Sequence, residues 1–401
     1  MLRIASVCRS LPTPDNPSSG VFVFNRLSAM RRQADVNILQ PIPCFPIARP
    51  LPDWFSETGT GAGGVPIARM PMPYVPGALK FLDGVWLDRA VHTQIGRLQA
   101  NGGLDLIDAH FGYPEGAGCS RVALRLNIPL FITVRGFENE FLSRPFIGKQ
   151  IRHALHSARG IVCVSHSLQA LLTGIGIPED RIEVIHNGID HGTFKLQDRR
   201  AARAALDLPV QRPLIVSVGH QVRRKRHHLV IEAFAGIRQR HPEALLVIIG
   251  SDAPEPDHAR QLRQQIETLG LGDSVRLIGN LPPSRVAQWL SAANVFALAT
   301  AREGCCNAVL ESLAAGVPVV STPAGDNTYF VEEGVDGHIV PIDDAAALGS
   351  AIDRALVTTW DNAAISRRLE AKVGDWDAVA TRVIDFFNAS LARPHARALQ
   401  S

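Results

Sequence analysis

Residues 302–320 read REGCCNAVLESLAAGVPVV and set two glutamates, Glu303 and Glu311, around a glycine, two adjacent cysteines and an asparagine. Gly316 followed by Pro318 ends a helix, and the apolar run after it opens a buried strand. Asn307 is the residue type that caps such a helix. Glu311 then lies one turn inside the helix, and Glu303 lies in the loop before it. Three chemistries compete for this arrangement: a metal or redox site on Cys305 and Cys306, an acid/base carboxylate pair, or a ligand cradle at a helix start. Neighbouring side chains diverge, and no histidine stands at zinc-ligand spacing, which counts against the metal. A thiolate at a helix start remains open as a nucleophile. A helix N-terminus attracts phosphate, while carboxylates beside it would meet hydroxyls. A ligand with both groups, a sugar nucleotide, satisfies the third reading.

Outward from this stretch, strands and helices alternate. PLIVSVG, ALLVIIG, SVRLIG, VFALAT and PVVSTP read as buried strands, separated by HHLVIEAFAGIRQRHP, HARQLRQQIETLGL, PSRVAQWLSAA and AVLESLAAG as helices. An earlier block repeats the pattern with LRIASVC, DLIDAH, IPLFITV and GIVCVS as strands; VFVFNRLSAMRR, EGAGCSRVALRL and residues near 146–158 read as helices. Residues 41–78 are dense in proline and glycine and are expected to be mostly loop. The turn-rich NGIDHGTFKLQDRRAA marks the boundary between blocks. The expected architecture is α/β, with two doubly wound domains (1–192 and 193–375) facing each other across a cleft and a closing helix over 376–401. Ligands of such sheets sit at the carboxyl ends of the strands.

The 401 residues carry a formal net charge of +3, so no global field calls for nucleic acid. Arg3 and Arg9 interrupt any N-terminal apolar run and no eighteen-residue apolar stretch occurs, so neither a leader nor a spanning helix is expected. The six scattered cysteines lack a C-x-x-C pair and read as reduced cytosolic thiols. GTGAGG at 59–64 matches a dinucleotide fingerprint in letters only, because no strand precedes it and no helix follows; it reads as a loop. RRKRHH at 223–228 falls between a strand and a helix, where Lys225 and the helix dipole would act together on a phosphate. In the proline-rich region Trp54, Phe55, Tyr74, Phe81 and Trp86 accompany Arg49, Arg69 and Lys80, a mixture suited to an anionic membrane surface. No Asp-x-Asp stands at a strand end, so no metal is expected.

In order along the chain, VIHNGID, VSVGH followed by Lys225, ALLVIIG, SVRLIGNLP and EGCCNAVLESLAAGVPVVSTPAG resemble retaining glycosyltransferases of family 4, which have the GT-B fold of two Rossmann-like domains. DLIDAHFGYPEG, PLFITVRG and WDAVATRVIDFF resemble the flanking parts of the same family. The resemblance implies an acceptor-binding N-terminal domain, on which the last helix packs, and a C-terminal domain for a UDP- or GDP-sugar donor. It implies that Glu311 binds ribose, Glu303 the transferred hexose, and N–H groups near Asn307, Ala308 and Val309 the phosphate. Lys225 would neutralise the leaving diphosphate, and Leu277 and Ile278 would flank the base. Gly20 would close from the N-terminal domain; Gly219, Gly304, Cys305 and Cys306 complete the donor contacts. Two residues depart from the family pattern, His220 where an arginine is usual and Arg135 where a histidine is common. Arg223 or Arg224 can supply the missing cation, and His110 and Arg135 become candidates for touching acceptor or transferred sugar. The implied reaction passes the sugar to a glycan or lipid-linked acceptor at the cytoplasmic membrane face, the leaving phosphate taking the acceptor proton. An epimerase, a phosphorylase and a non-catalytic nucleotide-sugar-binding protein are the competing readings.

Overall fold

The structure, a computed structural model, describes residues 1–45, 49–253 and 255–393. The chain divides into two compact units, the first made of Met1–Gly188 with the chain from Trp376 onward, the second of Ile189–Asp375.

The first unit is built on β1 (Arg3–Val7), β2 (Asp35–Cys44), β3 (Thr58–Thr60), β4 (Pro66–Pro73), β5 (Leu106–His110), β6 (Leu130–Val134), β7 (Gly160–Cys163) and β8 (Ile182–Val184). They form one sheet in the order β3-β4-β2-β1-β5-β6-β7-β8, parallel except for the antiparallel β3–β4 pair. The helix Val21–Met30 packs Val23, Phe24 and Leu27 against Val383 and Phe387 of the helix Trp376–Ala392. Phe387 in turn meets Phe131 of β6 at 4.5 Å between ring centroids. Residues 394–401, which sequence reasoning placed in this last helix, lie outside the described residues.

The proline-rich segment departs from expectation. It is not mostly loop, since β2 runs through Pro41 and Pro43 to Cys44 and pairs with all of the second half of β4. Successive residues of a strand turn their N–H groups to opposite sides. Leu39 points its carbonyl at β1, where it accepts from the Cys8 N–H, so Pro41 and Pro43 face the same side just past the end of β1. Cys44, on the opposite set, bonds Tyr74 beyond β4. Pro71 and Pro73 likewise share the side of Arg69, whose N–H reaches Glu57, and lie past the end of β3. No proline occupies a position where the ladder needs a donor. GTGAGG also contributes structure: β3 ends within it, and a side chain at Gly59 would collide with the Arg69 guanidinium.

The second unit contains β9 (Leu214–Val218), β10 (Leu245–Ile249), β11 (Val275–Ile278), β12 (Val295–Leu298), β13 (Val319–Ser321) and β14 (Gly337–Ile339), in the order β11-β10-β9-β12-β13-β14, all parallel. Leu214 and Val216 face one core with the helices Pro283–Ala292 and Asn307–Ala314, while Ile215, Leu246 and Ile248 face another with His227–Arg240 and Ala345–Val357. With both faces covered, these strands can be apolar throughout, which explains their continuous hydrophobic runs. β9 and β12 are neighbours, so the loops leaving their carboxyl ends meet.

Candidate functional site

In the second unit the loop after β9 turns at Gly219, whose φ of +154° suits glycine, and a side chain there would press on Lys225. A short 3-10 turn, Arg223–Lys225, leads through Arg226 (φ +54°) into the helix His227–Arg240. Arg226 is held in that uncommon conformation by an ion pair with Asp343 at 2.9 Å. The turn drives Lys225 inward to 8% exposure. His227 fixes it from beneath: fully buried, its imidazole bonds the Gly219 carbonyl at 3.1 Å through Nε2 and Ser217 at 3.3 Å through Nδ1. Burial pushes the His227 pKa down to about 4, so near neutral pH it serves as a neutral bridge and adds no charge beside Lys225.

The loop after β12 brings Glu303 to this cation. Lys225 Nζ donates to Glu303 Oε1 at 2.6 Å, Thr300 Oγ1 donates to the same oxygen at 2.8 Å, and Arg224 Nη1 reaches Oε2 at 3.2 Å. Burial works against the Glu303 charge, but Lys225, Arg224 and Thr300 hold its carboxyl below the usual range. The cluster therefore stays ionised, with two cations around one carboxylate.

Glu311 behaves in the opposite way. It sits on the helix Asn307–Ala314, and burial pushes its pKa up to about 7, with Lys225 pulling the other way. A carboxyl with a raised folded-state pKa stabilises the fold below its ordinary range, and that contribution is lost as pH rises through about 7. Among the described residues Lys225 favours an ionised Glu311, and an incoming pair of hydroxyl donors would add to it.

The helix itself starts one residue earlier than a capping Asn307 requires. Cys306 holds the cap position without a side-chain cap bond, and Asn307 is the first helical residue. The Asn307 N–H bonds Cys305 O at 3.1 Å and the Val309 N–H bonds Cys306 O at 3.0 Å. Burial, with Glu303 adding to it, pushes the Cys306 thiol up to about 12, which removes the thiolate that a nucleophile needs. Gly304, Cys305 and Ala308 line the same turn, His220 is exposed just past Gly219, and Leu277 and Ile278 are half-buried at the end of β11.

The other three candidates, Gly20, His110 and Arg135, belong to the first unit. Gly20 (φ +57°) begins the helix Val21–Met30 with no room for a side chain against Ser10. His110, at the end of β5, is fully buried. Its Nε2 lies 3.1 Å from Asp108 Oδ2 and its Nδ1 lies 3.3 Å from Arg135 Nη2. A guanidinium only donates, so Nδ1 must accept and Nε2–H must donate to Asp108. Burial pushes His110 down to about 4, consistent with that neutral tautomer. Arg135 also donates to Asn187 Oδ1 at 3.0 Å and lies 5.1 Å over the Phe22 ring.

Two family models match the chain in succession, Glycosyltransferase Family 4 over residues 20–193 and Glycosyl transferases group 1 over residues 198–368. The chain belongs to glycosyltransferase family 4. Among curated relatives, the lipopolysaccharide core biosynthesis glycosyltransferase LpsE of Rhizobium meliloti is 33% identical over 210 residues, covering 52% of this chain and 56% of LpsE. The chain spans about half the length of the curated relatives it matches. Sucrose-phosphate synthase from Thermosynechococcus elongatus superposes with a TM-score of 0.80 at 21% identity, covering 98% of this chain and 100% of that one. Anabaena HepE, solved in complex with UDP and glucose, gives 0.74 at 19% identity, with 97% and 100% covered. These two likenesses establish the GT-B fold.

For a family 4 chain, several residues of the two clusters were not singled out from sequence. Thr300 and His227 support the Lys225–Glu303 pair; Asp108, Arg26, Ser6, Thr133, Asn187 and Glu138 surround His110 and Arg135. A signal existed for some of them. Asp108 and His110 alternate in an otherwise apolar strand, and the registers Ser6↔Asp108 and His110↔Thr133 set polar residues opposite them.

Proposed function

We propose that this family 4 chain is a retaining hexosyltransferase. It takes a UDP- or GDP-hexose and passes the sugar to a glycan or lipid-linked acceptor in cell-envelope polysaccharide synthesis, in the cytoplasm and without a metal. The observation that carries the reading is the Lys225–Glu303–Arg224 cluster at the adjoining ends of β9 and β12, with Glu311 one turn inside the helix that follows Glu303. Lys225 and Arg224 place positive charge where a leaving diphosphate needs it. Glu303, oriented by three donors, keeps acceptor lone pairs for hexose hydroxyls, and Glu311 takes the ribose diol. The sugar's bond to phosphate breaks, the acceptor oxygen bonds the same carbon from the same face, and the acceptor proton passes to the departing phosphate. HepE, with UDP and glucose bound, supports the donor class.

The test is nucleoside diphosphate release from a panel of UDP- and GDP-hexoses, with and without acceptor and with a chelator, beside calorimetry of the diphosphate alone. Glu311→Ala is expected to weaken the bare diphosphate by about 1.5–3 kcal/mol, whereas Glu303→Ala leaves it nearly intact and lowers transfer sharply. Binding a diol favours ionised Glu311, so UDP-hexose affinity should fall as pH drops below about 7, and Glu311→Gln should flatten that slope. A UDP-hexose is the right probe because its diphosphate is a diester and does not titrate near neutral pH. Reversed mutant behaviour would exchange the two roles; no release from any donor ends the reading.

Among the described residues no helix is long and apolar enough to cross a membrane. For peripheral attachment, the aromatic–basic set read from the proline-rich segment is partly paired within itself. Arg69 lies 5.6 Å over Trp54 and Arg49 lies 5.5 Å over Tyr74, so these cations are already engaged. Phe81 does face out and meets Phe146 at 5.7 Å; Phe146 shares its helix, Pro145–Ser157, with exposed Lys149 and Arg152. Anionic phosphatidylglycerol vesicles should co-sediment the protein at low salt, and Lys149→Glu with Phe146→Ser should reduce this. Absence of binding at low salt removes the membrane from the proposal.

A further inference from the structure

At the carboxyl ends of β5 and β6 the first unit carries an aromatic stack whose outermost ring is open. Phe137 is 53% exposed. Behind it Phe141 stacks at 6.0 Å and 17°, and Phe111 leans on its side at 5.6 Å. Tyr113 meets Phe141 edge-on at 6.2 Å, and the Arg144 guanidinium lies 5.0 Å from the centre of the same ring.

The stack is held in place by residues with no other evident task. Glu138 is 1% exposed, and its carboxylate ties the two strand ends together. Oε1 accepts from the Gly112 N–H at 2.7 Å, and Oε2 accepts from the N–H groups of Gly136 at 2.8 Å and Arg135 at 3.2 Å. Phe111 adopts φ +79°, a conformation rarely tolerated by a bulky side chain, and its N–H bonds Thr133 O at 2.8 Å. Strained backbone persists where the surroundings over-determine it, and such positions cluster at ligand sites. Here the strain puts the Phe111 ring against Phe137.

We propose that Phe137 is the floor of an acceptor subsite and takes a pyranose ring stacked face to face. This rests on the transferase reading and names the class of acceptor group: a sugar that presents an apolar C–H face. The negative face of an aromatic ring attracts weakly positive C–H groups, and a hexose offers several on one side. A lipid or protein surface would call for a contiguous apolar patch. Phe137 is instead followed at Asn139 by an exposed polar residue, a setting that matches a sugar's apolar face and hydroxyl edge. The position, at the carboxyl ends of adjacent parallel strands, is where doubly wound sheets bind ligands.

Saturation-transfer NMR on the full chain with the methyl glycosides of glucose, galactose and mannose tests this, with UDP-glucose binding measured in parallel. At least one glycoside should receive saturation mainly on the C–H protons of one ring face. Phe137→Ala should weaken that glycoside roughly tenfold, and Phe137→Trp should restore it. UDP-glucose affinity and the thermal midpoint should not move. If Phe137→Ala misfolds, Phe137→Leu keeps the volume without the aromatic face and should still lose the glycoside. A wild type that binds UDP-glucose but no glycoside, or a glycoside indifferent to Phe137, overturns the subsite. Failure to bind any nucleotide sugar while a glycoside still contacts Phe137 would instead overturn the transferase reading and leave the subsite standing.

Discussion

Replacing Lys225 by alanine is expected to lower kcat by about 100- to 1000-fold, roughly 3–4 kcal/mol, with a much smaller change in donor affinity. Negative charge grows on the bridging oxygen only as the glycosidic bond breaks, so a fixed cation there acts mainly in the transition state. Three features of the structure favour that outcome over a simple ground-state contact. Lys225 is nearly buried, its ammonium is oriented by Glu303 at 2.6 Å, and its turn is anchored by the neutral His227. Little reorganisation is left for the moment of reaction. Arg224, more exposed than Lys225, can approach the same oxygens and should limit the loss in binding. Removal of Lys225 also takes the first cation away from Glu303, so the variant's pH–rate profile should shift upward on its acidic side. Steady-state kinetics with UDP- and GDP-hexoses decides the matter. An unchanged kcat with a raised KM would make Lys225 an ordinary phosphate contact.

The parts legible in the sequence share a physical basis. Strands such as ALLVIIG are apolar on both sides because helices cover both faces of a parallel sheet, so β9, β10 and β12 could be placed from composition alone. The Lys225 turn was legible because basic residues stood between an evident strand and an evident helix. What escaped depended on neighbours remote in the chain. Whether Pro41 and Pro43 break a strand depends on which side of the ladder they face and where β1 ends, and neither is written locally. The helix start slipped by one residue because Asn307 is a good cap type, yet the backbone turns at Cys306. His110 was read as a candidate for touching acceptor or transferred sugar. Its complete burial between Asp108 and Arg135 follows only from the register of β5 with β1 and β6.

That register also sets the second large effect. Asp108→Val should destabilise the first unit by about 3–5 kcal/mol, because it strands a charge that folding has removed from water. Arg26 is 2% exposed. Its Nη2 lies 3.3 Å from Asp108 Oδ2, its Nη1 donates to Thr133 at 2.9 Å, and its Nε has no hydrogen-bond partner among the described residues. Asp108 is thus the only carboxylate paired with this guanidinium among the described residues, and it also accepts from Ser6 at 3.1 Å and from His110. Burial opposes the Asp108 charge, but His110, Arg26 and Ser6 more than offset it and hold its carboxyl well below the ordinary range. A depressed pKa gives a contribution that is present above the ordinary carboxylate range and is lost only as pH falls through the depressed value. Unfolding of the wild type should therefore not sense this group between about pH 5 and 8. The mechanism makes a sharper demand than a loss of stability. If the penalty arises from orphaned Arg26, then Arg26→Met in the Asp108→Val background should recover part of it, and the two changes should couple by about 1–3 kcal/mol. Urea denaturation of the two single variants and the double variant measures that coupling. Strict additivity would mean that Asp108 stabilises through Ser6 and His110 alone, and that the buried guanidinium is indifferent to its carboxylate.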